Sequence, residues 1–283
     1  MPVRDFQCLL APDDASHRAD RPRLFSNARM KIKAEALTDV GRKRKGNEDN
    51  YFVNAEEALY VVADGMGGHA AGEVASQVAV EAINEFIEMT SGDEEITWPF
   101  GIDEDISHDG NRLKTAVRYA NSKVLDSMQQ CSEYEGMATT VVAVLIAGNE
   151  ANLAHVGDSR IYLIRDGELS QLTSDHSWVN EQIKAGLISS DQARTHPLRN
   201  VVTRALGGRS DLDVEMQVHE IESDDILLLC SDGLTTMMPD EDIEKLVCEK
   251  DLPIDTAAKA LVAEANARGG DDNITVVLVK FGP

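Results

Sequence analysis

The distribution of apolar residues along the chain predicts helices and strands in a characteristic order. Apolar positions recur at helical spacing over residues 72–89, 111–128, 240–249 and 253–268. Short β-rich runs precede the first helix pair, separate the two pairs and follow the second. Because strands and helices do not alternate one by one, a doubly wound parallel sheet is disfavoured. The order predicts an α+β fold, an αββα sandwich of two mainly antiparallel β-sheets with a helix pair on each outer face.

Two segments interrupt this pattern. Residues 1–30 mix Arg, Asp, Pro, Ala and Ser without periodicity, so we expect a poorly ordered N-terminal extension ahead of one domain at 31–283. In the segment from about 173 to 208, Ser174-Asp175 and Ser189-Ser190-Asp191 can each cap a short helix. We interpret this segment as a small lobe set into the sheet.

Several of the predicted buried strands stop at an aspartate. The clearest is Leu59-Tyr-Val-Val-Ala-Asp64-Gly65, and comparable endings lie at Asp158, Asp232 and Asp272. For any one of them the ordinary role is a turn or a helix cap. If the strand ends converge, however, the like charges require a compensating cation, and oxygen ligands without His or Cys favour Mg²⁺ or Mn²⁺. Spacing alone leaves both interpretations open.

Arg44 lies in a polar, basic connection that could simply be a solvated loop. Beside a metal site, a guanidinium is suited to hold the non-bridging oxygens of a phosphate in bidentate fashion. Metal ions and one arginine together would indicate phosphoryl chemistry.

The composition of the chain limits which partners and which cellular compartment we expect for the protein. The chain has 27 basic and 50 acidic residues, and a net charge of −23 argues against non-specific nucleic-acid binding. Its four cysteines are widely spaced, which suggests neither a zinc site nor a disulfide framework. No apolar stretch approaches the roughly 20 residues of a membrane helix, and the N-terminus lacks the order of a signal peptide. We therefore expect a cytoplasmic protein without membrane or nucleic-acid partners.

Six short motifs, taken together and in their order along the chain, resemble the motifs of a known protein family. They are Thr38-Asp-Val-Gly-x-x-Arg44-x-x-Asn47-Glu48-Asp49, Val62-Ala-Asp64-Gly65-Met66-Gly-Gly-His69, Gly136-Met-Ala-Thr-Thr140, His155-Val-Gly157-Asp158-Ser-Arg160, Ser231-Asp232-Gly233 and Asp272-Asn273-x-Thr275. From Thr38 to its end the chain resembles the bacterial metal-dependent serine/threonine protein phosphatases of the PPM type, the protein phosphatase 2C family. Residues 172–177 and 196–207 also resemble the flap of that family, which lies beside the active site.

The resemblance implies a site with two metal ions, Mn²⁺ or Mg²⁺, and a possible third. Asp64 would bridge the two ions, and Gly65 would contribute its carbonyl oxygen. Asp232 and Asp272 would complete the shell of one ion. Asp158 and Asp232 would form a weaker third site. Glu48 and Asp49 would hold metal-bound waters or support the ligands, and Arg44 would clamp the phosphate.

The resemblance also implies the reaction. A water that bridges the two metal ions would attack the phosphorus of a phosphoserine or phosphothreonine protein directly, without a phosphoenzyme intermediate. Such an enzyme would act as a monomer and oppose a serine/threonine kinase.

The group that protonates the leaving oxygen is left open. Met66 stands where animal members of the family have a histidine, and a methionine cannot donate a proton. His69 is a candidate because it is close in sequence, although it could merely cap the glycine-rich loop, and a metal-bound water could serve instead. Of the other histidines, we expect His155 to be packed within a strand, whereas His176 and His196 in the flap could influence substrate access.

Two other functions stay open. The chain could be a catalytically weak or non-catalytic relative that serves as a binding or regulatory module, for which loss of a metal aspartate would be the mark; none is missing. It could also act mainly on small phosphoesters, for which the large flap would be an odd addition.

Overall fold

The computed structural model describes residues 30–67, 71–92, 98–249 and 252–282. The predicted extension, apart from Met30, and the candidate acid His69 lie outside these ranges, so their predictions stay untested.

The described residues form eleven strands, seven α-helices and a short 3-10 helix at Ser132–Tyr134. The strands are β1 (Lys31–Asp39), β2 (Asp49–Asn54), β3 (Leu59–Met66), β4 (Ala138–Thr139), β5 (Val141–Ala147), β6 (Glu150–Val156), β7 (Arg160–Arg165), β8 (Glu168–Gln171), β9 (Glu215–Glu220), β10 (Ile226–Cys230) and β11 (Ile274–Gly282). The helices are α1 (Ala71–Met89), α2 (His108–Gln130), α3 (Trp178–Lys184), α4 (Ser190–Arg194), α5 (Asp232–Thr235), α6 (Asp240–Val247) and α7 (Ile254–Ala267).

The strands build two antiparallel sheets. One sheet has the order β1-β11-β10-β7-β8, and the other has the order β2-β3-β5-β6-β9, with β4 paired to β3 at its end. Each sheet is buried on both faces in its central strands, which explains why these strands are almost wholly apolar. In β3, for example, Tyr60 and Val62 face the opposite sheet, whereas Leu59, Val61 and Ala63 face the helices.

Three layers of apolar side chains hold the sandwich together. The first lies between α1, α2 and the second sheet, the second between α5, α6, α7 and the first sheet, and the third between the two sheets. The predicted αββα sandwich is confirmed. Helix ends shift by a few residues; α2 begins at His108 because the Ser107 hydroxyl accepts a hydrogen bond from the Gly110 N–H at 3.0 Å.

The segment 173–208 contains the two short helices α3 and α4. The predicted cap of the first was wrong in detail, because Ser177 rather than Ser174 caps it, and Asp175 is instead bound to Arg160. Ser189 caps α4 as expected, in a reciprocal arrangement with Gln192. In the described part of the chain, no helix combines the length and the apolar character that crossing a bilayer requires.

Candidate metal centre

The strand ends that carry aspartates converge at one end of the sandwich. Asp64 in β3 lies directly opposite Asp49 in β2. Asp232 is the first residue of α5, just after β10, whereas Asp158 follows β6 and Asp272 precedes β11. The two sheets therefore contribute carboxylates to a common site.

Two threonines hold the backbone of Asp64. Its carbonyl oxygen accepts hydrogen bonds from the Thr140 N–H and the Thr139 hydroxyl, both at 2.9 Å. Its own N–H donates to the Thr140 hydroxyl at 3.3 Å, and that hydroxyl lies 2.7 Å from the hydroxyl of Ser159, next to Asp158. Buried hydroxyls thus fasten the loops of Asp64 and Asp158 to each other.

Gly65 is required by close backbone packing. Its N–H donates to the Glu48 carbonyl oxygen at 3.1 Å. A Cβ at this position would collide with the carbonyl oxygen of Gly72 in α1 and would come within 2.5 Å of the Glu48 carbonyl. Any side chain here would push α1 and the Glu48 strand away from Asp64.

Asp49 lies behind the other acids and joins the two sheets. Its Oδ2 accepts hydrogen bonds from the hydroxyls of Ser231 and Thr275, each at 2.7 Å, while its buried Oδ1 has no partner among the described residues. Burial raises the pKa of Asp49 to about 7, against the lowering effect of these two hydrogen bonds. The sequence motifs contain Ser231 and Thr275, but nothing in the sequence indicated this role.

The carboxylates raise one another's pKa. Burial, followed by the charges of Asp49 and Asp232, raises the pKa of Asp64 well above its ordinary value. Burial and then the charge of Asp232 raise the pKa of Asp158 to about 8, and burial and then Asp272 raise that of Asp232 to about 6. The cluster is thus a concentration of negative charge that the chain compensates only in part.

Arg44 contacts the cluster at its rim. Its Nη2 donates to Asp272 Oδ2 at 2.7 Å, and half of its side-chain surface is exposed. The preceding Lys43 pairs with Asp271 at 2.6 Å, and the Arg42 N–H donates to the Gly270 carbonyl oxygen at 2.7 Å. These successive contacts align the basic loop against the loop that precedes β11, with Arg44 at the edge of the acids.

Asn273 fastens the basic loop to the site. Its side-chain oxygen accepts from the Glu48 N–H at 2.8 Å, and its amide nitrogen donates to the carbonyl oxygens of Val40 and Gly46 at 2.9 and 3.0 Å. The motif contains this residue, but the role depends on contacts over 225 residues or more, which local sequence could not reveal.

The donor set suits a hard divalent cation. The acids of the centre supply only oxygen donors, and the Oδ1 of Asp49 lacks a partner in the part of the chain that the structure describes. Asp64, Asp158 and Asp232 each keep part of their surface accessible. Carboxylates without imidazole or thiolate favour Mn²⁺ or Mg²⁺ over softer metals. Close packing at Gly65 also keeps side chains away from this edge. The residues present therefore fit such ions.

Most of the residues that the sequence singled out come together here. The structure unites Arg44, Glu48, Asp49, Asp64, Gly65, Asp158, Asp232 and Asp272 in one contiguous site. His69 is outside the described residues, so the centre as described contains no candidate for the general acid in the glycine-rich loop.

Comparisons with known proteins agree with this geometry. The family model "Protein phosphatase 2C" matches residues 42–266. A "Serine/threonine phosphatase stp" of Listeria monocytogenes is 39% identical over 254 residues, which cover 87% of this chain and 95% of the relative.

Solved structures extend the likeness to the whole fold. The Mycobacterium tuberculosis serine/threonine phosphatase PstP/Ppp superposes with a TM-score of 0.78 at 37% identity, covering 89% of this chain and 99% of its own. The catalytic domain of serine/threonine protein phosphatase PstP in complex with two manganese ions superposes with a TM-score of 0.76 at 35% identity, covering 90% and 100% of the chains. The chain belongs to the protein phosphatase 2C family, and the predicted enzyme class, a serine/threonine protein phosphatase, is confirmed.

Proposed function

We propose that this phosphatase hydrolyses phosphoserine and phosphothreonine esters of proteins and depends on two divalent cations held by its carboxylate cluster. The observation that supports this most directly is the convergence of four aspartates whose pKa values are raised by burial and by one another. Mn²⁺ is the ion we expect first, since the PstP catalytic domain was solved with two manganese ions, and Mg²⁺ would satisfy the same oxygen donors.

Each acid has a role in this proposal. Asp64, opposite Asp49 at the end of β3, would bind both ions, and the Gly65 carbonyl oxygen would add a further ligand. Asp232 and Asp272 would hold one ion, while Glu48 and Asp49 would act through water or support the ligands. When bound, the ions supply Lewis acidity and activate the attacking water. Asp158, whose pKa is raised by burial and then by the charge of Asp232, would form the weaker third position together with Asp232.

Arg44 binds the phosphoryl group of the substrate. Its half-exposed guanidinium lies at the solvent edge of the site, where a phosphoprotein can approach. A phosphate bound there would accept a charge-assisted hydrogen bond in place of the Asp272 carboxylate. Arg44 thereby orients phosphorus toward the attacking water.

Hydrolysis forms one bond between a water oxygen and phosphorus and breaks the bond from phosphorus to the seryl or threonyl oxygen. The leaving oxygen needs a proton, which the thioether of Met66 cannot donate. His69 stays our prediction for this donor, beside the alternative of a second water.

Two alternatives are less consistent with the site. A non-catalytic binding module has no need for the complete acid set, and all the predicted acids of the site are present and adjacent. A phosphatase of small phosphoesters has no need for the segment 173–208, which we propose as a flap that selects phosphoprotein substrates. The opposing kinase, the monomeric state and the cytoplasmic location stay predictions.

The proposal is tested by replacing Asp64 with alanine. We expect Asp64→Ala to lower Mn²⁺-dependent phosphate release from a phosphothreonine peptide by at least about a thousandfold, because about 4 kcal/mol of transition-state stabilisation is lost. Asp126→Ala, which removes an exposed acid on α2, should keep wild-type rates.

Three outcomes would contradict the proposal. They are normal turnover in Asp64→Ala, full activity of the wild type in excess chelator, and hydrolysis of a small aryl phosphate with much higher catalytic efficiency than of phosphopeptides. The last would leave the metal centre intact but would favour the small-phosphoester alternative.

A further inference from the structure

Two stacked histidines lie beside the loop that carries Asp158, and the proposed reaction uses neither of them. His155 is in β6, and His176 lies near the start of the segment 173–208; their ring centroids are 4.3 Å apart with an angle of 25° between the planes. Both rings are buried, with 2% and 5% of their surface exposed. Buried imidazoles at such a position require an account of their hydrogen bonds.

Both rings bind the backbone of Gly157. The Gly157 N–H donates to His176 Nδ1 at 3.1 Å, and the Gly157 carbonyl oxygen lies 2.9 Å from His155 Nε2. The same carbonyl oxygen also accepts a hydrogen bond from the backbone N–H of His176 at 2.7 Å. A backbone N–H can only donate, so Nδ1 of His176 is unprotonated and its proton lies on Nε2, 3.1 Å from Glu215 Oε2. A carbonyl can only accept, so His155 carries its proton on Nε2.

These hydrogen bonds favour a clamp over a cation site. The nitrogen and carboxylate atoms of His155, His176 and Glu215 lie within 4.8 Å of one another, as metal ligands would. However, Nε2 of each ring already donates a proton, and Nδ1 of His176 already accepts one. Of the four ring nitrogens, Nδ1 of His155 alone lacks a partner among the described residues, and one such nitrogen does not make a cation site. Burial also lowers the pKa of His155, to about 4, and that of His176, which is consistent with neutral rings.

Gly157 cannot be fastened by a side chain of its own. Its φ is +117°, and a Cβ would collide with the side chain of Thr140. On the other side of Asp158, the Ser159 hydroxyl lies 2.7 Å from that of Thr140, and the Arg160 guanidinium forms two hydrogen bonds with Asp175 at 2.9 and 2.8 Å. Asp158 therefore lies between residues that are held on both sides.

We propose that His176, oriented by Glu215, is a positioning residue for Asp158 and thereby sets the affinity of the metal position that Asp158 shares with Asp232. This inference rests on the proposed role of Asp158. Because Asp175 and His176 are adjacent, the start of the segment 173–208 and the Asp158 loop are held in one arrangement, so a change in one is transmitted to the other.

The test is Mn²⁺ binding to the whole enzyme without substrate, measured by electron paramagnetic resonance of free Mn²⁺. We expect His176→Ala to raise the dissociation constant of the weakest Mn²⁺ position by about tenfold and to leave the tighter positions unchanged, since loss of a ligand-orienting contact typically weakens metal binding by about this factor. In His176→Asn, the side-chain oxygen can replace Nδ1 as the acceptor for the Gly157 N–H, so the constant should stay within about threefold of wild type.

Glu215 supplies a second pair of variants. Glu215→Ala should raise the same constant by about threefold, because His176 loses its acceptor, whereas Glu215→Gln retains an acceptor and should behave as wild type. Melting temperatures in chelator show that each variant is folded. If His176→Ala does not fold, the Glu215 pair decides, and equal constants for both variants and wild type would overturn the proposal.

Asp158→Asn separates the two inferences. If it weakens the weakest position and His176→Ala does not, the clamp has no positioning role. If Asp158→Asn itself changes nothing, the assignment of Asp158 as a ligand is wrong, and the positioning proposal is overturned with it.

Discussion

A buried aspartate, Asp225, and a partly buried one, Asp232, flank the two ends of strand β10, and their surroundings are opposite. Asp225, directly before the strand, accepts hydrogen bonds from Arg165 at 2.9 and 2.6 Å and from the Glu222 N–H at 2.8 Å. Asp232, just beyond the other end, meets Asp64 and Asp272, and burial together with the charge of Asp272 raises its pKa to about 6. Asp225 is paired with an arginine, whereas Asp232 has other carboxylates as its neighbours.

The difference shows that burial alone does not mark a functional carboxylate. Asp225 is more deeply buried than Asp232, yet its contacts are complete and it has a structural role. The described residues compensate the acids around Asp232 only in part, so bound protons or a cation from outside the chain must balance the remaining charge. A carboxylate whose charge is not compensated by a cationic side chain is therefore the better indication of a functional site.

The largest expected contrast is in the stability of the metal-free protein. Asp225→Ala should lower the free energy of unfolding by about 2–3 kcal/mol, because the partly buried Arg165 loses its carboxylate partner. Asp232→Ala should leave that free energy unchanged or raise it, because the substitution removes one of several repelling charges. Urea unfolding in excess chelator measures both.

Asp225→Asn is the matched control, since it keeps the shape and part of the hydrogen bonding, and we expect an intermediate loss. A larger destabilisation by Asp232→Ala than by Asp225→Ala in chelator would contradict the contrast between the two ends of β10.

The second contrast is in how the stability of the metal-free protein depends on pH. The folded-state pKa of Asp49 is about 7, against an ordinary value of 3.8, and burial is the main cause. Without metal, the folded state therefore binds more protons than the unfolded state between about pH 4 and 7, and stability falls as pH rises through this window. The melting temperature in chelator should fall by about 5 °C or more between pH 5 and 8.

Two comparisons identify the source of that slope. Asp49→Asn should reduce the dependence of the melting temperature on pH, whereas Asp126→Asn should leave that dependence unchanged. Saturating Mn²⁺ should remove most of the fall, because the cation stabilises the ionised carboxylates. A melting temperature that rises with pH in chelator would show that the acids are already compensated within the protein.

The smallest contrast separates two neighbouring cations. Arg44→Ala should lower kcat/KM toward a phosphopeptide by about tenfold, which is about 1.4 kcal/mol, because a charge-assisted contact with the phosphate is lost. Lys43→Ala removes only an exposed ion pair with Asp271 and should change kcat/KM by less than about twofold.

Mn²⁺ affinity should be the same in both variants, since neither side chain supplies a metal ligand. Equal losses of kcat/KM in the two variants would mean that the basic loop acts through its general charge and not through Arg44.

Much of the fold could be predicted from local patterns. The helical repeat located α1, α2, α6 and α7 within a few residues, because burial of one face imposes a period close to 3.6. The short strand β8 was not predicted, since four partly polar residues have no distinctive period. The cap at Ser174 was wrong because the competing contact of Asp175 with Arg160 is tertiary.

The residues of the candidate site likewise fall into those that local sequence could identify and those that it could not. An aspartate that ends an apolar strand is visible in the sequence, so Asp64, Asp158 and Asp232 could be named. The supporting residues Thr140 and Asn273 could not be given roles, because the hydrogen bonds that join them to Asp64 and Glu48 span 76 and 225 residues.

The sequence by itself determined which segments are strands and helices and which strand ends carry carboxylates, since periodicity and turn chemistry are local properties. Only the tertiary structure decided which of these acids face one another and which are matched by an arginine. It likewise decided that two histidines stack on Gly157. The physical reason is that charge compensation depends on pairs of residues brought together by sheet pairing, and no local repeat encodes that pairing.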